Sequence, residues 1–107
     1  ELFKRRFKEE KSPMPTFRPD IFAVKRSKSG KPLEMVIVEA EIQSTLFSHH
    51  TSDQLLEMDE FIRSKKSKRI KVSGYLLVPR GKEIQSQARM LLSSQFPDGN
   101  YIKIIQR

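Results

Sequence analysis

Three carboxylates in this chain are spaced so that they can act together. Glu39 and Glu41 are separated by one small residue, Ala40, and follow the apolar run Met35-Val36-Ile37-Val38. Val and Ile dominate that run, which reads as a strand buried on both faces. Side chains alternate along a strand, so Glu39, Glu41 and Gln43 are expected on one face. Two carboxylates at the end of a buried strand are costly to desolvate unless something compensates them. A hard cation that takes oxygen ligands does so.

The third carboxylate is placed by register. Residues 19–24, Pro19-Asp20-Ile21-Phe22-Ala23-Val24, form a second strand candidate. The polar connection Lys25-Arg26-Ser27-Lys28-Ser29-Gly30-Lys31-Pro32 suits a hairpin. With the turn centred on Ser29-Gly30, paired positions sum to about 59, which sets Asp20 opposite Glu39. Facing residues hold their Cβ atoms about 4.5–5.5 Å apart, and like charges there destabilise a sheet. A chain that keeps three acids at such a point uses them jointly.

Pro19-Asp20, a hairpin, and then Val38-Glu39-Ala40-Glu41 resembles the signature of the PD-(D/E)xK nuclease superfamily. Asp20 matches the first acid of that signature and Glu39 the second, while Glu41 stands where the family usually has Lys and some members carry Glu or Gln. The resemblance implies an α/β domain with a small mixed β-sheet flanked by helices and a restriction-endonuclease-like core. It implies Mg²⁺ or Mn²⁺ held by Asp20, Glu39 and the Ala40 carbonyl, with catalytic work shared by Asp20, Glu39 and Glu41. Such an ion activates a water and neutralises charge on the scissile phosphate. Glu41 would be a general base or a second ligand, Lys25 or Lys71 would supply the missing positive charge, and Gln43 would contact phosphate or metal-bound water. In the family a first helix sometimes lends a glutamate to the metal, a role open here to Glu9 or Glu10. Residues 12–17 leave no room for the strand that the family usually places before the Asp strand.

The remaining elements must position these groups. Residues 1–11 carry Leu2 or Phe3 with Phe7 at helical spacing, and Ser12-Pro13-Met14-Pro15 ends that helix. Thr51 and Gln54 are spaced as a capping box opening a helix with Leu55, Met58 and Ile62 on one stripe. His49-His50, before it, reads as loop and lacks the partners of a zinc motif. Residues 70–79 read as a strand, Ile84, Ala88, Leu91 and Leu92 as an amphipathic helix ending near Phe96, and residues 101–105 as a last strand. No repeat and no second domain is visible, so residues 1–107 read as a single nuclease-like domain, opening on Glu1 as an excerpt of a longer chain would.

Composition narrows the partners. A net charge of +8 with a pI near 10.0 favours a polyanion, above all nucleic acid, and the resemblance makes that DNA. Lys65, Lys66, Lys68 and Arg69 form a run suited to phosphate, although such runs are also ordinary solvated helix ends. No stretch approaches the roughly 18 apolar residues of a membrane span, and no secretory signal or cysteine is present, which points to the cytoplasm. A homodimer stays open. Two rival readings also stay open: a catalytically inactive nuclease-fold module that only grips nucleic acid, and a structural or interaction domain with its acids in salt bridges. Divalent-metal binding separates the first from the second, and cleavage separates it from the active enzyme.

Overall fold

A computed structural model describes residues 19–66 and 70–107. The expected first helix, Glu9, Glu10, Lys68 and Arg69 lie outside the described residues. Within them the chain runs β1 (Ile21–Arg26), β2 (Pro32–Ala40), α1 (His49–Lys66), β3 (Lys71–Val78), α2 (Lys82–Gln95) and β4 (Ile102–Gln106). The four strands form one mixed sheet in the order β1-β2-β3-β4. β1 is antiparallel to β2, whereas β2, β3 and β4 are parallel, as a tight turn and two helical crossovers dictate.

Alternation decides which side chains face the helices. Ile37, Leu76, Val78 and Ile102 join Leu55, Met58 and Ile62 of α1 and Ile84, Ala88, Leu91 and Leu92 of α2 in one buried cluster. Both helices therefore cover the same face of the sheet. Gly74 lets α1 approach closely: a Cβ there would lie 2.6 Å from Ile62 Cδ1 and 3.0 Å from Met58 Sδ. The opposite face carries half-buried Val36, Tyr75 and Leu77 with exposed Ile21 and Ile105.

The start of α1 differs from expectation. The helix begins at His49, so the histidine pair forms its first turn rather than a loop. Ser48 is the cap: its Oγ accepts the Thr51 N–H at 3.2 Å and shares a 3.0 Å hydrogen bond with the Thr51 hydroxyl. Thr51 is engaged inside the helix, its hydroxyl donating to the Thr45 carbonyl at 2.8 Å, which ties the helix to the turn before it. Asp59, buried on α1, accepts the Tyr101 N–H at 3.0 Å and the Arg63 Nε–H at 2.6 Å, and so fixes the entry of β4.

Candidate metal centre

The hairpin has the expected register. Ile21 pairs with Val38, Phe22 with Ile37 and Lys25 with Glu34, and an irregularity appears only at Arg26 and Pro32, beside the turn. Gly30 supplies that turn with a positive φ of 88°, which L side chains rarely adopt. Extending the ladder by one residue sets Asp20 against Glu39, and the Ala40 N–H donates to Asp20 Oδ2 at 2.8 Å. At the other end β2 closes at Ala40, but the Glu41 N–H still donates to the Leu77 carbonyl at 2.9 Å. Alternation thus carries through Glu41, and one carboxylate oxygen from each of Asp20, Glu39 and Glu41 lies within 4.8 Å of the other two.

The electrostatics of this cluster are unusual. Glu39 is only 3% exposed, and its Oε2 is buried with no hydrogen-bond partner. Its carboxyl is pushed up to about 9, first by burial, then by the charge of Asp20 and hydrogen bonding with Asp20 and Glu41, and last by the charge of Glu41. At neutral pH the cluster therefore holds a proton on Glu39, and a cation entering it must displace that proton. Three carboxylates, one with an unpartnered buried oxygen, form a donor set suited to a hard divalent ion.

Gln43 is not placed as expected. The chain leaves the sheet after Glu41 and turns through residues 43–47, so strand alternation no longer governs Gln43. Its Nε2 instead donates to Gln87 Oε1 on α2 at 3.4 Å. Gln87 was not singled out from the sequence. Its signal was a polar residue flanking the inner stripe formed by Ile84, Ala88 and Leu91.

Lys25 and Lys71 are also misplaced for supplying charge. Both sit opposite Glu34, five strand positions and roughly 16 Å from Glu39, and Lys71 Nζ is 3.9 Å from Glu34 Oε1. Among the cations that the topology does bring to the acidic end of the sheet are Arg80, exposed in the connection after β3, and Lys82, exposed as the first residue of α2. This end, where parallel strands finish and helices start, is where ligands usually bind in open α/β sheets. Lys65 and Lys66 of the basic run lie at the other end of α1. Lys66 is exposed with Nζ 3.7 Å from the centre of the Tyr101 ring, whereas Lys65 is buried with Nζ 5.0 Å from that of Phe61.

The chain matches no family model, and no curated protein or solved structure matches it. Among the described residues no helix is long and apolar enough to cross a membrane.

Proposed function

We propose that this chain is a metal-dependent nuclease that cleaves DNA phosphodiester bonds on a restriction-endonuclease-like core. The observation that carries this reading is the convergence of one carboxylate oxygen from each of Asp20, Glu39 and Glu41, with Glu39 buried. Asp20, Glu39 and the Ala40 carbonyl would hold Mg²⁺ or Mn²⁺. Bound there, the ion would supply Lewis-acid stabilisation of phosphate charge and a more acidic water. Glu41 would act as general base toward an attacking water or bind a second ion. Gln43, two residues beyond Glu41, would contact phosphate or metal-bound water only by giving up its 3.4 Å hydrogen bond to Gln87. Arg80 and Lys82 add positive charge at the same end of the sheet.

Ion pairing does not account for the acids, because among the described residues none of the three is in a salt bridge. A second reading, an inactive nuclease-fold module that only binds nucleic acid, is favoured by one observation: the two lysines weighed as substitutes for the usual cation lie at the far end of the sheet. Cleavage assays decide between them. With Mg²⁺ or Mn²⁺ the protein should cut DNA and chelator should stop it. Asp20→Asn and Glu39→Gln should each abolish cutting in folded protein. Glu41→Lys should abolish it where Glu41 is base or ligand, and preserve or raise it where Glu41 merely occupies the usual Lys position. Protein that binds metal and DNA yet cuts no DNA form would support the binding module. Protein that binds no divalent ion would overturn both.

A further inference from the structure

A second concavity lies at the end of the sheet away from the acids. It is a cavity of about 340 Å³ lined by Lys66, Lys71, Ser73, Asn100, Tyr101 and Lys103, among others. Its three lysines come from three different elements: the last turn of α1, the first residue of β3 and the second of β4. Among the described residues Lys71 pairs only with Glu34, at 3.9 Å and with Lys71 itself 75% exposed, a contact that solvent screens strongly. Asn100 accepts the Ile102 N–H through Oδ1 at 2.8 Å, so its amide hydrogens are the part it can turn to a ligand. Tyr101 is 41% exposed beside these groups.

From this arrangement we propose a second, metal-independent site that holds a nucleotide phosphate of a nucleic-acid strand. Ammonium groups act as point charges on flexible stems, and three of them arriving from different directions suit a tetrahedral phosphate. A planar carboxylate is better matched by the guanidinium fork. The cavity is larger than a bare anion needs and lies within the roughly 300–1,000 Å³ range of small-molecule sites. The Tyr101 ring carries Lys66 Nζ at 3.7 Å and Arg63 Cζ at 5.1 Å from its centre, so it holds cations at the rim of the cavity rather than offering a bare stacking face. The site shares with the nuclease reading only its nucleic-acid partner, and it stands or falls without the acids.

The test uses the full chain in chelator, so that metal binding plays no part. Amide resonances are followed while thymidine 5′-monophosphate, inorganic phosphate or thymidine is added. The nucleotide should shift Ser73, Asn100 and Lys103 at lower concentration than inorganic phosphate, and thymidine should not shift them. Anisotropy of a labelled oligothymidine is then read against salt. Replacing Lys66, Lys71 and Lys103 together by Gln should lower the log–log salt slope by about 0.7, the share of one phosphate on a single strand. Replacing Lys25, Lys28 and Lys31 by Gln removes equal charge and should leave most of the slope. Equal slopes for the two variants would overturn the site. So would shifts confined to other residues, or thymidine acting as well as its phosphate. Equal response to inorganic phosphate and nucleotide would refute the strand assignment and leave a small-anion site. The resonance experiment is made on wild-type protein, so it decides even where the triple variant does not fold.

Discussion

Glu39→Gln should stabilise the protein in the absence of metal, and by an amount set by pH. In the folded chain the Glu39 carboxyl is pushed from its ordinary 4.5 to about 9. Between those values the folded state keeps a proton that the unfolded state has released. Stability is therefore full below pH 4.5 and falls as pH rises toward 9, at about 1.4 kcal/mol per pH unit. By pH 7 the loss reaches about 3 kcal/mol, an upper bound because solvent at the strand end screens part of it. Glutamine keeps the shape and cannot ionise, so the variant escapes this loss. In a domain of 107 residues that difference should raise the melting temperature by about 10 °C at pH 7 and by little at pH 4.5. Melting wild type and variant in chelator from pH 4.5 to 9 gives the difference for the cluster as a unit, with the titrating groups away from Asp20 and Glu41 common to both. A difference that stays flat across that range, or a variant less stable than wild type at pH 7, would refute the account of Glu39 as a buried acid crowded by Asp20 and Glu41.

Three further outcomes follow from the same geometry. Mg²⁺ binding should release close to one proton at pH 7 and strengthen about tenfold per pH unit between pH 6 and 8, because the ion competes with the Glu39 proton; calorimetry in buffers of different ionisation heat measures both, and a pH-independent affinity would contradict it. Gly74→Ala should destabilise by about 1–3 kcal/mol, read by urea unfolding, since its Cβ would press on Ile62 and Met58 in a packed core. Ser48→Ala should cost about 1 kcal/mol by the same measurement, while Gln54→Ala should not reproduce it as a lost cap, because Ser48 rather than Thr51 heads the helix.

The hairpin and its acids were legible because two strong local signals agreed. The turn around Gly30 fixed the register, and strand alternation then placed Glu39 and Glu41 on the face shared with Asp20. The α/β pattern was legible for the same kind of reason, as the period changed from two to 3.6 along the chain. Where the chain leaves regular structure those rules stop. Alternation extrapolated past Glu41 put Gln43 on the strand, but the turn at residues 43–47 carried it to Gln87 instead. Thr51 and Gln54 match a capping box in spacing, yet Ser48 caps the Thr51 N–H one turn earlier and draws the histidines into the helix. Lys25 and Lys71 were judged by residue type alone. Their distance from the acids depends on strand direction and pairing, which a list of residues does not show. The buried Asp59 bridging α1 and β4 is a long-range contact with no local signature.

The single irregularity in the hairpin ladder, at Arg26 and Pro32, separates the turn from the acids by the whole length of β1. Added or deleted residues between positions 27 and 31 can be absorbed at that flaw, because the ladder beyond it is already held by paired strands. The tip of this hairpin is therefore the natural place to insert a tag, a fluorophore or a cleavage sequence. A lengthened loop there changes the outline of the molecule while the facing positions 20 and 39 stay in step.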